Sequence, residues 1–175
     1  MRKVLVVVDL QNDFVSGALG TPEARAIVPR VAEKIGQYRP RDVYFTRDTH
    51  YEDYLDTQEG RNLPVPHCIA GTEGWQLTDE IAALAEGAQI IDKPTFGSNR
   101  LAGLLMTERA QRALEVELVG LCTDVCVVSN ALLLKAAMPE APITVDASCC
   151  AGVTPERHRA ALETMKSCQI NVINE

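Results

Sequence analysis

Lys3-Val-Leu-Val-Val-Val8, closed by Asp9, decides the fold. A strand with one wet face alternates apolar and polar residues. Here five apolar residues run together after Lys3, so neither face is reserved for water. A short run of this kind is a strand of a parallel sheet covered by helices on both sides. Further strands are expected at Asp42–Thr46, Ala88–Asp92, Glu115–Leu121, Ile143–Asp146 and Ile170–Ile173. Helical patterns lie between them. Pro22–Gly36 places Ile27, Val31 and Ile35 on one stripe. Trp75–Glu86, Ser98–Arg112 and Thr123–Ala137 also read as helical. Pro155–Ser167 follows, with Thr154 as N-cap and Pro155 at the first helical position. A long polar stretch, Arg47–Thr72, is punctuated by Gly60, Pro64, Pro66 and Gly71. The alternation implies an α/β fold: three α/β/α layers, doubly wound about a six-stranded, mainly parallel sheet. No repeat or linker interrupts it, so residues 1–175 are expected to form a single domain.

The formal net charge is -7 and no basic run stands out, which argues against nucleic acid or an anionic membrane as partner. Five apolar residues between Lys3 and Asp9 are too few for a signal peptide or a membrane span. The six cysteines, at 68, 122, 126, 149, 150 and 168, form no C-x-x-C pair. They read as free thiols in a reducing, cytoplasmic compartment. The apolar helix over Val127–Ala137 suits either the core or a contact with another subunit, and a homo-oligomer is the expectation.

Ligands of doubly wound folds bind beyond the carboxyl ends of the strands. Asp9 ends the first strand, Lys93 follows the third, and Cys126 lies past the fourth at the start of a helix. All three project from one sheet edge. A free thiol, with pKa ~8.5, is only about 3% thiolate at pH 7. A helix N-terminus and a nearby ammonium favour the thiolate. Bringing a thiol pKa from about 8.5 down to about 6.5 takes roughly 2.7 kcal/mol of preference for the charged form. Asp9 could take the thiol proton and pass it to a leaving amine. Taken singly, each residue has a plainer reading: a cap, a surface lysine, a small buried hydrophobe.

Arg47-Asp48-Thr49-His50 follows the second strand at the same edge. Residues two apart in extended chain point to one side, so Asp48 and His50 could share an ion. His67 sits in Leu63-Pro-Val-Pro-His-Cys68, and Glu59 lies between. Two imidazoles and two carboxylates suit Zn²⁺, Mn²⁺ or Fe²⁺. Otherwise this is simply a polar loop containing histidines and acids. The third histidine, His158, lies between two arginines and reads as a surface residue.

Asp9-Leu-Gln-Asn-Asp-Phe14 resembles the opening of the isochorismatase-like cysteine hydrolases, the family that includes nicotinamidases. Gly120-Leu-Cys-Thr-Asp-Val-Cys126 resembles that family's nucleophile turn, and Lys93 falls where its catalytic lysine falls. The resemblance runs in order through the chain. It implies an Asp9–Lys93–Cys126 triad. It also implies a cis peptide at Leu121–Cys122, which directs the N–H groups of Cys122 and Cys126 at the substrate oxygen as an oxyanion hole. Asp48, His50 and His67 match the family's metal-ligand pattern. The remaining ligand varies in the family; Glu59 is our choice, with Asp53 and Asp56 as rivals. Phe14 and Leu19 match apolar pocket positions, and Phe96 could add a wall. One departure is the stretch Asn62-Leu-Pro-Val-Pro-His67, where an aromatic residue often precedes the histidine element.

The implied activity is hydrolysis of a linear amide C–N bond: nicotinamide to nicotinate and ammonia through a thioester on Cys126. One divalent metal ion is the implied cofactor. A pyridine nitrogen, a borderline base like imidazole, could occupy an open coordination position and hold the carboxamide over the thiol. The alternative is the same chemistry on a carbamoyl or ureido compound, which has no need of the ion. A non-catalytic binding module and a thiol-redox pair of Cys122 with Cys126 are the remaining classes.

Overall fold

The computed structural model describes all 175 residues. Its sheet has six strands: β1 Arg2–Val8, β2 Val43–Asp48, β3 Gln89–Lys93, β4 Leu114–Leu121, β5 Ile143–Ala151 and β6 Asn171–Ile173. Their order is β3-β2-β1-β4-β5-β6, and every pairing is parallel rather than mainly so. The order reverses between β1 and β4, which is where such folds open a crevice.

The opening strand shows why both faces are apolar. Val4, Val6 and Val8 enter one core and Leu5 and Val7 the other. Helices α5 (Asn99–Gln111), α6 (Val128–Ala137) and α7 (Pro155–Ser167) cover the first face. Leu101, Leu105, Ala131, Leu134, Leu162 and Met165 supply its buried side chains. Helix α2 (Pro22–Ile35) covers the second with Ile27, Val28, Val31 and Ile35. The caps work as their residue types suggest. Thr21 accepts from Ala24 N, Ser98 from Leu101 N and Thr154 from Arg157 N. No helix is long and apolar enough to cross a membrane.

Several expectations need correction. The helix expected over Trp75–Glu86 is reduced to a single turn, α4 (Asp79–Ala82). Its first half is diverted because Asn12 N donates to Gln76 O, Thr78 N donates to Leu10 O, and Gln11 bridges Leu77 antiparallel. Those backbone bonds compete with helix formation, and Arg47 stacks on the Trp75 ring at 3.6 Å. The polar stretch is not structureless: a short helix, α3 (Gln58–Asn62), is capped by Thr57. Another short helix, α1 (Asn12–Val15), follows β1. Strand β5 runs to Ala151, past the expected end at Asp146, because its small residues Ala147, Cys149, Cys150 and Ala151 are buried between both layers. Strand β2 extends through Asp48, and Lys93 is the last residue of β3, so both belong to strand ends rather than to the loops beyond.

Candidate active site

Asp9, Lys93 and Cys126 meet at the switch point. Asp9 follows β1 with a left-handed backbone (φ 49) and is fully buried. Thr46 donates to its Oδ1 at 2.6 Å. Lys93 reaches in from β3, with Nζ 2.7 Å from Asp9 Oδ2 and 3.5 Å from Cys126 Sγ. A carboxylate oxygen has two lone pairs, so this ion pair leaves Asp9 Oδ2 able to accept from a further donor. Gly120 makes the approach of β4 possible. Its φ is +118, and a Cβ there would collide with the Val8 carbonyl oxygen. The Leu121–Cys122 peptide is cis.

Lys93 is only 1% exposed, so its ammonium must be paired. Asp9 supplies one carboxylate, and Asp48 Oδ1, 3.2 Å away, the other. Burial opposes the charge on Lys93, but Asp9, Cys126 and Asp48 together raise its pKa. Burial raises Asp9 as well, against the pull of Lys93. The thiol departs from expectation. Burial, then the Asp9 charge, push Cys126 well above the ordinary thiol range, and Lys93 only partly offsets them. Charge count adds to the effect of burial: two carboxylates face one ammonium, and a thiolate would add a further negative charge. Passing the thiol proton to Asp9 leaves the local charge unchanged. Cys126 also sits inside a π-helical turn, Thr123–Val127, that precedes α6 rather than at the first residue of the α-helix.

A second cluster adjoins the first through Asp48. His50 Nε2 is 2.9 Å from Asp48 Oδ2 and 3.5 Å from Glu59 Oε1. His67 Nε2 lies 3.6 and 3.9 Å from the same two oxygens. One donor atom from each of the four falls within 4.8 Å of every other. Metal–ligand bonds of about 2.0–2.1 Å give tetrahedral edges of about 3.3 Å, so the donor set fits one divalent ion after small adjustments. The ring of His67 is already oriented. Its Nδ1 lies 2.8 Å from Val65 O, and a carbonyl accepts only from a protonated nitrogen, which leaves Nε2 facing the cluster. Burial disfavours the charged form of His50, but Asp48 and Glu59 outweigh it and push its pKa up to about 9. Asp53 and Asp56 are exposed and outside the cluster.

Backbone pairing brings these four side chains together. His50 N donates to Cys68 O and Ala70 N donates to His50 O, which brings His67 beside His50. Asp13 Oδ2 accepts from Cys68 N at 2.7 Å. Gln11 grips Asp48 by its own backbone, donating to Asp48 O and accepting from Asp48 N. Tyr54 packs against both imidazoles, with centroids 4.6 and 5.1 Å away, and donates its hydroxyl proton to Leu63 O. Sequence reasoning misses the roles of Gln11, Asp13 and Tyr54. Only the position of Gln11 and Asp13 inside the Asp9–Phe14 motif hints at them. It misses Asn130 too; a lone amide on the apolar helix, it donates to Cys126 O and accepts from Ser98 N.

Both clusters open onto one cavity of about 710 Å³. Phe14, Leu19 and Phe96 line it, as do Cys122 and Cys126. Leu63, from the stretch Asn62–His67, stands in its wall. Phe96 remains 39% exposed, so it forms part of the mouth. His158 is not a surface residue: α7 packs it half-buried against the turn Thr123–Val127, 2.8 Å from Thr123 Oγ1.

The family model of the isochorismatase domain matches residues 3–175. The crystal structure of pyrazinamidase of Pyrococcus horikoshii in complex with zinc is 30% identical, with a TM-score of 0.82 over all of both chains. The structure of nicotinamidase/pyrazinamidase from Bacillus subtilis is also 30% identical, with a TM-score of 0.81 over 99% of this chain and 100% of that one. The nicotinamidase/pyrazinamidase of Mycobacterium tuberculosis is 28% identical over 98% of each chain.

Proposed function

From the premise that this chain belongs to the isochorismatase family, we propose that it is a nicotinamidase, a cysteine-dependent hydrolase converting nicotinamide to nicotinate and ammonia. One observation carries the reading. The buried Lys93 ammonium contacts Asp9, Cys126 and Asp48 at once, so a nucleophile and a metal-ligand cluster share one cation beside one cavity.

In this account Asp9 Oδ2 takes the proton of Cys126 as the sulfur attacks the carboxamide carbon. The carbonyl π pair moves onto oxygen, which faces the N–H groups of Cys122 and Cys126. Asp9 returns the proton to the nitrogen, the C–N bond breaks and ammonia departs, leaving a thioester. Water then attacks the thioester carbon and gives its proton to Asp9. The C–S bond breaks, the sulfur regains its proton, and nicotinate is released. Lys93 stabilises the negative charge of the site throughout. Asp48, His50, Glu59 and His67 would hold a divalent ion, with zinc, manganese and iron as the candidates their donor types suit. When bound, such an ion supplies a Lewis-acid position for the ring nitrogen of the substrate. Phe14, Leu19 and Phe96 would enclose the ring.

The same reading makes residues 1–175 one catalytic unit, acting in the cytoplasm on a small amide without nucleic acid or membrane partners. The net charge of -7 and six unpaired cysteines support it. It also includes a homo-oligomer. Half-buried Leu132 and Leu133 on α6 and exposed Met106 on α5 offer an apolar face, and light scattering reads the mass.

The test is product analysis with metal-loaded protein. Nicotinamide should yield nicotinate and ammonia in equal amounts, and a ureido compound should yield none. Turnover of the ureido compound alone would overturn the proposal in favour of the carbamoyl-amide alternative.

A further inference from the structure

The turn Thr123–Val127 carries Cys126 and follows Cys122, yet the bonds fixing its first two side chains come from elsewhere. Asp124 Oδ1 accepts from Val153 N at 2.9 Å, just before α7. Thr123 Oγ1, whose residue is 0% exposed, meets Nδ1 of His158 on α7 at 2.8 Å. Gly152 allows this fit: a Cβ there would lie 2.8 Å from His158 N and 2.9 Å from Asp124 Oδ1. Thus the start of α7 holds the turn at two adjacent residues. Inside the turn, Cys122 O accepts from both Val125 N and Val127 N, so the peptide planes near Cys122 and Cys126 move together.

We propose that His158 is a positioning residue for the reaction: through Thr123 it fixes the turn that presents the N–H groups of Cys122 and Cys126 to the substrate oxygen. This rests on the nicotinamidase reading. His158 does not touch the substrate. Burial holds its imidazole below the ordinary histidine range, with Arg159 acting in the same direction and Asp124 and Glu175 opposing. A neutral imidazole whose Nδ1 lacks a proton accepts from the Thr123 hydroxyl. Removing it leaves a fully buried hydroxyl unpartnered, and that cost is relieved by letting the turn shift.

The test separates positioning from folding and from substrate binding. Nicotinate contains no tetrahedral carbon. Pyridine-3-carboxaldehyde forms one when the Cys126 thiol adds across its C=O: the C–S bond forms, the π pair goes to oxygen, and the thiol proton ends there. Its affinity therefore reports how well the turn holds the tetrahedral oxygen. For His158→Ala, kcat for nicotinamide should fall about 10- to 100-fold, with the aldehyde affinity falling in parallel. KM and nicotinate affinity should stay within about 2-fold, since the walls away from the turn, Phe14, Leu19 and Phe96, are untouched. His158→Asn keeps an acceptor near the Nδ1 position and should recover most of kcat. Thr123→Val should reproduce the alanine pattern, which keeps the test valid if His158→Ala does not fold. Activity of His158→Ala and Thr123→Val equal to wild type overturns the inference. So does equal weakening of aldehyde and nicotinate. A wild-type protein that releases no ammonia from nicotinamide instead overturns the nicotinamidase reading, so the two failures are distinct.

Discussion

Asp48 turns one carboxylate oxygen to Lys93 and the other to His50: Oδ1 lies 3.2 Å from Lys93 Nζ, and Oδ2 lies 2.9 Å from His50 Nε2. One side chain therefore joins the Asp9–Lys93–Cys126 group to the cluster of imidazoles. Asp48→Asn preserves its shape and removes its charge. Metal affinity should fall at least 10- to 100-fold, because changes even to groups outside the ligands typically cost about that much. Ammonia release should fall with it, and excess metal should restore only part, because Lys93 also loses a counter-charge. Unchanged metal affinity by calorimetry would show that Asp48 is not a ligand.

Glu59 enters the cluster from α3, while Asp53 and Asp56 stay outside it. Glu59→Gln should weaken metal binding about 10-fold or more, whereas Asp53→Asn and Asp56→Asn should leave it unaltered. Metal content after dialysis against a weak chelator ranks the three. A larger loss from either aspartate would reassign the fourth ligand.

The readability of these features follows from the range of the forces behind them. Lys3–Val8 is legible because a doubly buried strand has no polar position. Pro155 behind Thr154 is legible because capping is local. Trp75–Glu86 misleads because its backbone pairs with Leu10–Asn12, far earlier in the chain. His158 misleads for a similar reason. Its arginine neighbours suggest solvent, but its partner Thr123 lies in another element. The direction in which the Cys126 pKa moves is hidden from the sequence because it depends first on complete burial of the thiol and then on how many carboxylates share Lys93. Proximity in sequence does not report that count.

Away from the cavity, Glu117 is buried among Lys3, Lys34 and Tyr38, with oxygen contacts of 2.8, 2.8 and 2.7 Å. Burial opposes its charge, but those partners outweigh it and hold its pKa below the usual carboxylate value. Asp146 is likewise lowered, burial being outweighed by Lys34, Ser148 and Asn174. A carboxylate with a depressed folded pKa stabilises the fold above its unfolded value, about 4.3 for Glu and 3.9 for Asp. That contribution is lost as pH falls through the folded pKa. Glu117→Gln should therefore cost roughly 1–3 kcal/mol near neutral pH, because Lys34 keeps Asp146 while Lys3, Lys34 and Tyr38 all lose a charged acceptor. The difference from wild type should shrink below about pH 4. Urea denaturation at pH 7 and pH 3 measures both, and an equal difference at the two values would contradict the account.

The most direct measurement is ammonia release from nicotinamide by metal-loaded protein, with Cys126→Ala assayed beside it. The intact protein should release ammonia, and the variant should be slower by about 10⁴-fold or more, the scale on which loss of a nucleophile is felt. The variant should bind metal as the intact protein does, because Asp48, His50, Glu59 and His67 are unaltered. Release by the variant at the intact rate, or none from the intact protein, would contradict the claim that the Cys126 thiol hydrolyses this amide.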